Sequence, residues 1–165
     1  MIRYELNLSR DYPQLLQYVL ARGELVEPRG ERTLEIRPLV LELWDPANCV
    51  VNRPGMNQAL MYMEVTQLLA GVFDHNLLRR CSGGAARLLN AHGAYGPRTY
   101  QQLLGVEREL TTDHQSRRAV VYVGRSDDLE LVQRQPELQL PCTTTWHFLV
   151  RGGKLELYVN MRSWD

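Results

Sequence analysis

Three short segments in the last third of this 165-residue chain carry residue types that could bind an anion or attack an electrophile. Residues 113–118 (DHQSRR) end in adjacent arginines before an apolar run, and Cys142 follows a proline at the start of another. Arg162 and Ser163, near the end of the chain, can both donate hydrogen bonds to a phosphate. Each segment also has an ordinary interpretation, because paired arginines are often solvated and a lone cysteine is often an inert core residue.

Glu64 is a different kind of candidate, a carboxylate on the apolar face of a predicted helix. It lies four residues after Leu60 and four before Leu68, so the three side chains share one face at helical spacing. Burying an unpaired carboxylate costs free energy. Glu64 is therefore either an edge residue that reaches water, or a proton-transfer group with a raised pKa beside a pocket.

The composition argues against several classes of protein. The 44% apolar and 23% charged residues are typical of a globular domain, and no apolar run approaches the roughly 18 residues that span a membrane. Nineteen basic residues balance nineteen acidic ones, so no nucleic-acid partner is predicted. The four histidines and three cysteines lack metal-ligand spacing and predict no metal site. The odd cysteine count and the absence of an apolar leader predict a cytoplasmic protein.

Periodicity and turn residues predict an α+β protein with a mixed or antiparallel sheet and packed helices, in one domain spanning 1–165. The predicted helices cover 11–22 (with Asp11 as the cap), 54 or 56 to 70, 85–91 and 98–110. The predicted strands cover 33–43 (one or two strands), 119–123, 143–150 and 154–162, with a hairpin turn at 151–153. Residues 93–97 and 124–137 are predicted to be loops.

In combination, these segments resemble the thymidylate synthase and pyrimidine deoxynucleotide hydroxymethylase family. The similarity runs from about Arg22 to Asp165 and consists of several motifs in the family's order. The matching residues are Glu64, Gly71, Tyr95, Gly96, Asp113, Ser116, Arg117, Arg118, Pro141, Cys142, Phe148, Gly153, Leu155, Arg162, Ser163 and Asp165. His147 stands where the family has glutamine. The resemblance implies a thymidylate synthase-like fold that dimerises through its sheet.

The resemblance also implies catalytic roles for four residues. Cys142 matches the nucleophile that adds to C6 of a pyrimidine ring and so turns C5 into a nucleophile. Glu64 matches the glutamate that organises water and proton transfer around the base. Tyr95 resembles the tyrosine near the nucleophile, and Asp165 resembles the aspartate on the folate and C5-proton side of the pocket.

Five further residues resemble phosphate-binding positions of the family: Arg29, Arg117, Arg118, Arg162 and Ser163. The guanidinium of Arg162 would also favour the thiolate form of a neighbouring cysteine. Arg117 and Arg118 match arginines that reach the phosphate in the neighbouring subunit, which implies a homodimer. The turn around Arg29 is one residue shorter than the family pattern, so Arg32 is the alternative at that position.

The implied reaction transfers a one-carbon unit from 5,10-methylenetetrahydrofolate to C5 of a pyrimidine deoxynucleoside monophosphate. Three positions depart from the synthase pattern: Thr143 follows the nucleophile, Met161 precedes Arg162, and no tryptophan lies between Trp44 and Trp146. The missing tryptophan favours hydroxymethylation. In the family, tryptophan in that stretch helps to shield the reaction intermediate, and a wetter pocket would let water add instead of hydride. The same departures favour phage or secondary metabolism over housekeeping thymidylate supply.

Two other functions stay open: reductive methylation of dUMP by a thymidylate synthase, and a non-catalytic relative that acts as a dimeric scaffold or nucleotide-binding module. The last residue of the chain, Asp165, lies inside the motif that matches the family's active site. The chain is therefore expected to lack the family's C-terminal part. The segment with which the family distinguishes uracil from cytosine follows that motif. These residues therefore do not identify the base.

Overall fold

The computed structural model describes residues 3–5, 7–48, 51, 55–84 and 90–163. Their α-helices are α1 (Leu8–Arg22), α2 (Gln58–Ala70), α3 (His75–Cys81), α4 (Tyr95–Thr112) and α5 (Asp128–Arg134). Their strands are β1 (Arg3–Glu5), β2 (Glu24–Val26), β3 (Thr33–Glu35), β4 (Val40–Glu42), β5 (Val120–Tyr122), β6 (Thr143–Arg151) and β7 (Lys154–Met161). The chain divides into two compact units, Met1–Met56 and Asn57–Asp165. No helix in the described ranges is long and apolar enough to cross a membrane.

The first unit combines one long helix with two small sheets. β1 and β4 pair in parallel, whereas β2 and β3 pair antiparallel. The predicted strand region 33–43 thus forms two strands, β3 and β4. Because the second unit adds an antiparallel sheet, the described residues contain both kinds of pairing, and the predicted α+β class is confirmed.

The helix α1 begins three residues before its predicted start. The side chain of Asn7 caps it by accepting from the backbone N–H of Arg10 at 3.2 Å. The carboxylate of Asp11 accepts in turn from the backbone N–H of Asn7 at 3.1 Å. Asp11 was predicted as the cap, but it lies in the first turn and completes a reciprocal capping arrangement instead.

A three-stranded antiparallel sheet in the order β5-β6-β7 organises the second unit. Gly152 and Gly153 join β6 to β7 with φ values of 56° and 73°, which glycine adopts without strain, so the predicted hairpin turn is confirmed. The helix α4 packs on one face of the sheet, where Val106 meets Ala119, Val121 and Val123 in the buried core.

The second unit also holds α2, whose C-terminal end lies close against the start of α4. Asn57 caps α2 by accepting from the backbone N–H of Leu60 at 3.0 Å. Gly71 ends the helix in the left-handed conformation, as the sequence predicts. A Cβ atom on Gly96 would lie 2.6 Å from the Gln67 carbonyl oxygen, so only glycine permits this approach of the two helices.

Three predictions in the second unit need correction or fall outside the described residues. Residues 95–97 of the predicted loop form the first turn of α4, where Pro97 is tolerated because first-turn N–H groups have no helical partner. The predicted loop 124–137 contains α5. Most of the predicted helix 85–91 lies outside the described residues, and residues 90–91 are not helical.

The missed helix α5 is held by an ion pair that short-range patterns do not reveal. Arg98, on α4, has a side chain only 1% exposed, and it binds both carboxylate oxygens of Asp128 at 2.6 and 2.7 Å. Its guanidinium also donates to the carbonyl of Val123 at 2.8 Å. A buried guanidinium requires such partners, and Asp128 sits thirty residues away in sequence.

Candidate active site

Cys142 lies immediately before β6, and its sulfur accepts a hydrogen bond from the hydroxyl of Ser163 across 3.2 Å. Ser163 follows β7, so the antiparallel pairing of β6 with β7 brings these two residues together. The backbone confirms the register, because the N–H of Arg162 donates to the carbonyl of Cys142 at 2.9 Å. A hydroxyl donor at this position stabilises negative charge on the sulfur.

The side chain of Arg162 is held beside Cys142 by the two residues that precede the cysteine. Its Nε atom donates to the carbonyl of Pro141 at 3.3 Å, and its Nη2 atom donates to the carbonyl of Leu140 at 3.2 Å. The residue remains exposed, and a guanidinium carries five N–H donors, so further donors can still meet an anion. The sequence prediction that Arg162 neighbours Cys142 is consistent with these contacts.

A bulge in the sheet lies next to the cysteine. Thr143 pairs with Met161 and Thr145 pairs with Asn160, which leaves Thr144 as an extra residue. The carbonyl of Thr144 accepts from the backbone N–H of Val123 at 2.9 Å. Bulges bend a strand locally and redirect side chains, and they are over-represented near active sites. This bulge changes the pairing register at the start of β6, between Thr143 and Thr145, directly after Cys142.

Tyr95 reaches the same end of β6 from the start of α4. Its hydroxyl lies 3.2 Å from the Oγ1 atom of Thr143 and accepts from the Thr143 backbone N–H at 3.4 Å. Its ring stacks on Trp146 with a 3° interplanar angle and a 6.0 Å centroid distance. Tyr95 is therefore held one residue from Cys142.

Glu64 stands on α2, and its side chain remains exposed to solvent. Partial burial nevertheless raises the pKa of its carboxyl, because desolvation disfavours the charged form. In the part of the chain that the structure describes, no hydrogen bond or ion pair joins Glu64 to another residue. Gln67, three residues further along the same face of α2, is buried, with 5% of its surface exposed. Glu64 therefore reaches water while its pKa is raised, and its role in proton transfer stays a prediction.

Arg118 is held by a carboxylate that the sequence analysis did not identify. Glu109, on α4, accepts from the Ser116 hydroxyl at 2.6 Å and from Arg118 Nε and Nη2 at 3.0 and 2.9 Å. These contacts lower the pKa of the Glu109 carboxyl, mainly through the Ser116 hydrogen bond. Ser116 is 4% exposed and also accepts from the backbone N–H of Arg118 at 3.1 Å.

Within one chain, the adjacent arginines lie far from the cysteine. The carbonyl of Arg117 is 3.2 Å from the Nε2 atom of His147, which lies five residues along β6 from Cys142. At about 3.3 Å per residue, this separation is roughly 16 Å. Arg117 and Arg118 thus start well along the sheet from the cysteine, and the guanidinium of Arg118 is bound to Glu109.

Two further site residues were predicted from the sequence, Arg29 and Asp165. Arg29 belongs to the first unit, where it is exposed in a short 3-10 helix, Pro28–Gly30, with a φ of 55°. That left-handed conformation is uncommon for a residue with a side chain, and backbone strain of this kind concentrates at functional sites. The alternative, Arg32, is also exposed. Asp165 lies outside the described residues.

The comparisons with known proteins agree with the resemblance. No family model matches the chain. A deoxyuridylate hydroxymethyltransferase of Bacillus phage SP01 is 27% identical over 93% of this chain. A putative thymidylate synthase of Methanocaldococcus jannaschii is 27% identical over 96% of it. The chain spans 45% of the phage protein and 70% of the archaeal one.

Proposed function

We propose that this chain belongs to the thymidylate synthase and deoxynucleotide hydroxymethylase family, and that it takes part in one-carbon transfer to C5 of a pyrimidine deoxynucleoside monophosphate. The observation that carries the proposal is the contact between Cys142 and Ser163 beside Arg162. It combines a nucleophile, a donor to its charged form and an anion-binding group at one strand end. Two relatives named for this chemistry match most of the chain.

In this proposal the sulfur of Cys142 forms a bond to C6 of the base, and the electrons of the C5–C6 double bond move to C5. The hydroxyl of Ser163 stabilises the attacking sulfur before the bond forms. C5 then forms a bond to the one-carbon unit and loses its proton. The bond from that carbon to the folate nitrogen breaks, and water adds to the carbon. The C6–S bond finally breaks, which restores the ring and frees Cys142 for another turnover.

5,10-Methylenetetrahydrofolate supplies the one-carbon unit when it is bound. The donors around Cys142 suit a nucleotide, and we assign none of the described residues to contacts with the folate. Glu64 is proposed as the proton-transfer group near the base, because partial burial raises the pKa of its carboxyl, so that it keeps a proton to a higher pH than an ordinary glutamate. Tyr95 is proposed to position the start of β6. Asp165 keeps its proposed role on the folate and C5-proton side.

We further propose that the phosphate is shared between two copies of the chain. Arg162 and Ser163 contact it from the same copy as Cys142. Arg29 keeps its proposed role as a phosphate-binding arginine. Arg117 and Arg118 would come from the neighbouring copy, because roughly 16 Å separates them from the cysteine within one chain. A homodimer follows from this division of the site.

Complementation between two inactive variants tests the shared site. Cys142→Ser lacks the nucleophile, and Arg118→Ala lacks an arginine donated to the other copy. A mixed dimer contains one site with both groups intact, so mixing and re-equilibrating the two variants should restore part of the activity. If both variants are inactive alone and their mixture stays inactive, the arginines do not act across a dimer.

The product is proposed to be the hydroxymethylated nucleotide, in which water adds to the one-carbon unit. Incubation with methylenetetrahydrofolate and either dUMP or dCMP tests this directly. Mass spectrometry should find a hydroxymethyl product, and the solution should not accumulate dihydrofolate. A methyl product with stoichiometric dihydrofolate would assign reductive methylation instead. If neither product forms and the protein does not bind the nucleotide, the remaining interpretation is a non-catalytic relative.

A further inference from the structure

The residues that lead into the candidate nucleophile take hydrogen bonds from side chains elsewhere in the second unit. Residues 138–141 belong to no helix or strand, and backbone carbonyls in such a stretch need other partners. The carbonyl of Gln139 accepts from the Nδ2 atom of Asn90 at 3.0 Å. The next two carbonyls accept from Arg162 at 3.2 and 3.3 Å. Asn90 and Arg162 thus hold three successive carbonyls directly before Cys142.

The side chain of Asn90 is held at both ends of its amide. Its Oδ1 atom accepts from the backbone N–H of Gly93 at 2.8 Å, which closes a turn over residues 90–93. Because the oxygen faces an N–H donor, the nitrogen is the end that faces Gln139, and a carbonyl requires a donor. One orientation of the amide therefore satisfies both contacts, although forty-nine residues separate Asn90 from Gln139.

The backbone of this turn also lies close against Gln139. A Cβ atom on Gly93 would lie 2.6 Å from the Gln139 carbonyl oxygen, a distance too short for any side chain. The turn is itself held by the buried Arg98, whose Nε atom donates to the carbonyl of His92 at 2.5 Å. The glycine thus permits the close approach to Gln139, and Arg98 keeps the turn in place.

We propose that Asn90 is a positioning residue for Cys142, which rests on the proposed function, in which Cys142 attacks the base. Asn90 fixes the carbonyl of Gln139, and the two carbonyls that follow then meet the guanidinium of Arg162. A guanidinium held beside a cysteine favours the thiolate, and its remaining donors can bind an anion. Asn90 therefore acts on the reaction through the backbone and Arg162, rather than by contact with the substrate.

The alternative is that Asn90 only closes its own turn. The two roles use different atoms of the amide, because the oxygen accepts from Gly93 and the nitrogen donates to Gln139. Asn90→Asp separates them, since a carboxylate keeps an acceptor for the Gly93 N–H and loses the donor to Gln139. A positioning role predicts that this variant is impaired at Cys142, whereas turn closure alone predicts that it is not.

The rate at which iodoacetamide alkylates Cys142 measures the positioning, with the free Cys81 as the internal reference. We expect Asn90→Asp to slow the reaction of Cys142 roughly fivefold, the size expected for one hydrogen bond between neutral groups, and to leave Cys81 unchanged. Gln101→Glu makes the same amide-to-carboxylate change at an exposed position of α4 and should leave both rates unchanged. A parent rate at Cys142 in Asn90→Asp would overturn the proposal.

A double-mutant cycle with Arg162→Met distinguishes positioning from a general loss of structure. If Asn90 acts through Arg162, then Asn90→Asp should slow the alkylation of Cys142 little further once residue 162 has no guanidinium. If the two losses instead multiply in the double variant, Asn90 affects Cys142 independently of Arg162, and the proposal fails.

Gly93→Ala tests the same carbonyl without changing Asn90, because the added Cβ atom displaces the Gln139 carbonyl. It should also slow Cys142 and leave Cys81 unchanged, and a folded Gly93→Ala that reacts at the parent rate would overturn the proposal. Circular dichroism checks the fold of each variant. None of these measurements uses a nucleotide or folate. If alkylation behaves as stated but fluorinated nucleotides form no adduct, the proposed reaction fails and the positioning by Asn90 stands.

Discussion

The hydroxyl of Ser163 donates to the sulfur of Cys142 across 3.2 Å, although twenty-one residues separate them in sequence. The register of β6 and β7 creates this contact, and the hydrogen bond from the Arg162 N–H to the Cys142 carbonyl fixes it. The pair links the candidate nucleophile to the end of the site where we propose that the phosphate binds. A change at Ser163 should therefore alter the chemistry of Cys142 before it alters the fold.

Ser163→Ala should slow the alkylation of Cys142 by iodoacetamide roughly tenfold, because a hydrogen bond to a charged group contributes about 1.5–3 kcal/mol. Peptide mapping measures the rate at each cysteine, and Cys81, also a free cysteine, provides the internal reference. Ser163→Thr keeps a hydroxyl and should retain most of the rate. Equal rates in the alanine variant and the parent would show that the contact does not stabilise the thiolate.

Tyr95→Phe removes the hydroxyl that binds Thr143 and keeps the ring that stacks on Trp146. We expect a loss of about 1 kcal/mol in the free energy of unfolding, measured by urea denaturation. Tyr62→Phe is the control, since that residue is 74% exposed on α2 and should change stability little. A Tyr95 variant as stable as the Tyr62 variant would mean that the hydroxyl contributes nothing to positioning β6.

Glu64→Gln should raise the melting temperature at neutral pH, because desolvation raises the pKa of the native carboxyl and its charged form destabilises the fold. A raised pKa means that the parent loses stability as the pH rises from the ordinary value of about 4.5 through the native value. The difference between variant and parent should therefore vanish below that range. Glu107→Gln, at an exposed position of α4, is the control. A Glu64 variant less stable than the parent at neutral pH would contradict this reasoning.

Asp128→Asn should cost about 3 kcal/mol at neutral pH, because it leaves the buried Arg98 guanidinium without its counter-charge. The Arg98 hydrogen bonds hold the pKa of Asp128 below its ordinary value of about 3.8. The stabilisation is thus complete above that value and is lost as the pH falls through the lower native pKa. Denaturation at several pH values measures this dependence.

The neighbouring Asp127→Asn provides the matched control for Asp128, because Asp127 is exposed and its side chain makes no capping hydrogen bond. It should lower the free energy of unfolding by less than about 0.5 kcal/mol. If the two variants unfold alike, the ion pair with Arg98 does not hold α5.

Local patterns in the sequence predicted much of the second unit because its elements depend on near neighbours. Gly71 ends α2 as predicted, and the glycine pair at 152–153 joins two alternating strands. The helix α5 was missed because its polar residues carry little periodicity, and its anchor is Arg98 on another helix. Tertiary contacts decide such elements.

The candidate site was predictable in part for a related reason. Family motifs indicated Cys142, Arg162 and Ser163, and the strand register brings these three together. The sequence did not predict a role for Glu109, because its partners Ser116 and Arg118 lie seven and nine residues further along, beyond the end of α4. Spacing alone does not reveal a carboxylate that organises a loop after its own helix.

The central claim, that Cys142 attacks the base, is tested most directly by intact-mass spectrometry after incubation with 5-fluoro-dUMP or 5-fluoro-dCMP and methylenetetrahydrofolate. Fluorine at C5 cannot leave as a proton does, so the covalent complex should persist. We predict a mass increase equal to nucleotide plus folate, localised to Cys142 and absent in Cys142→Ser. An adduct of the same mass in Cys142→Ser, or no adduct in a parent protein that binds the nucleotide, would contradict the account.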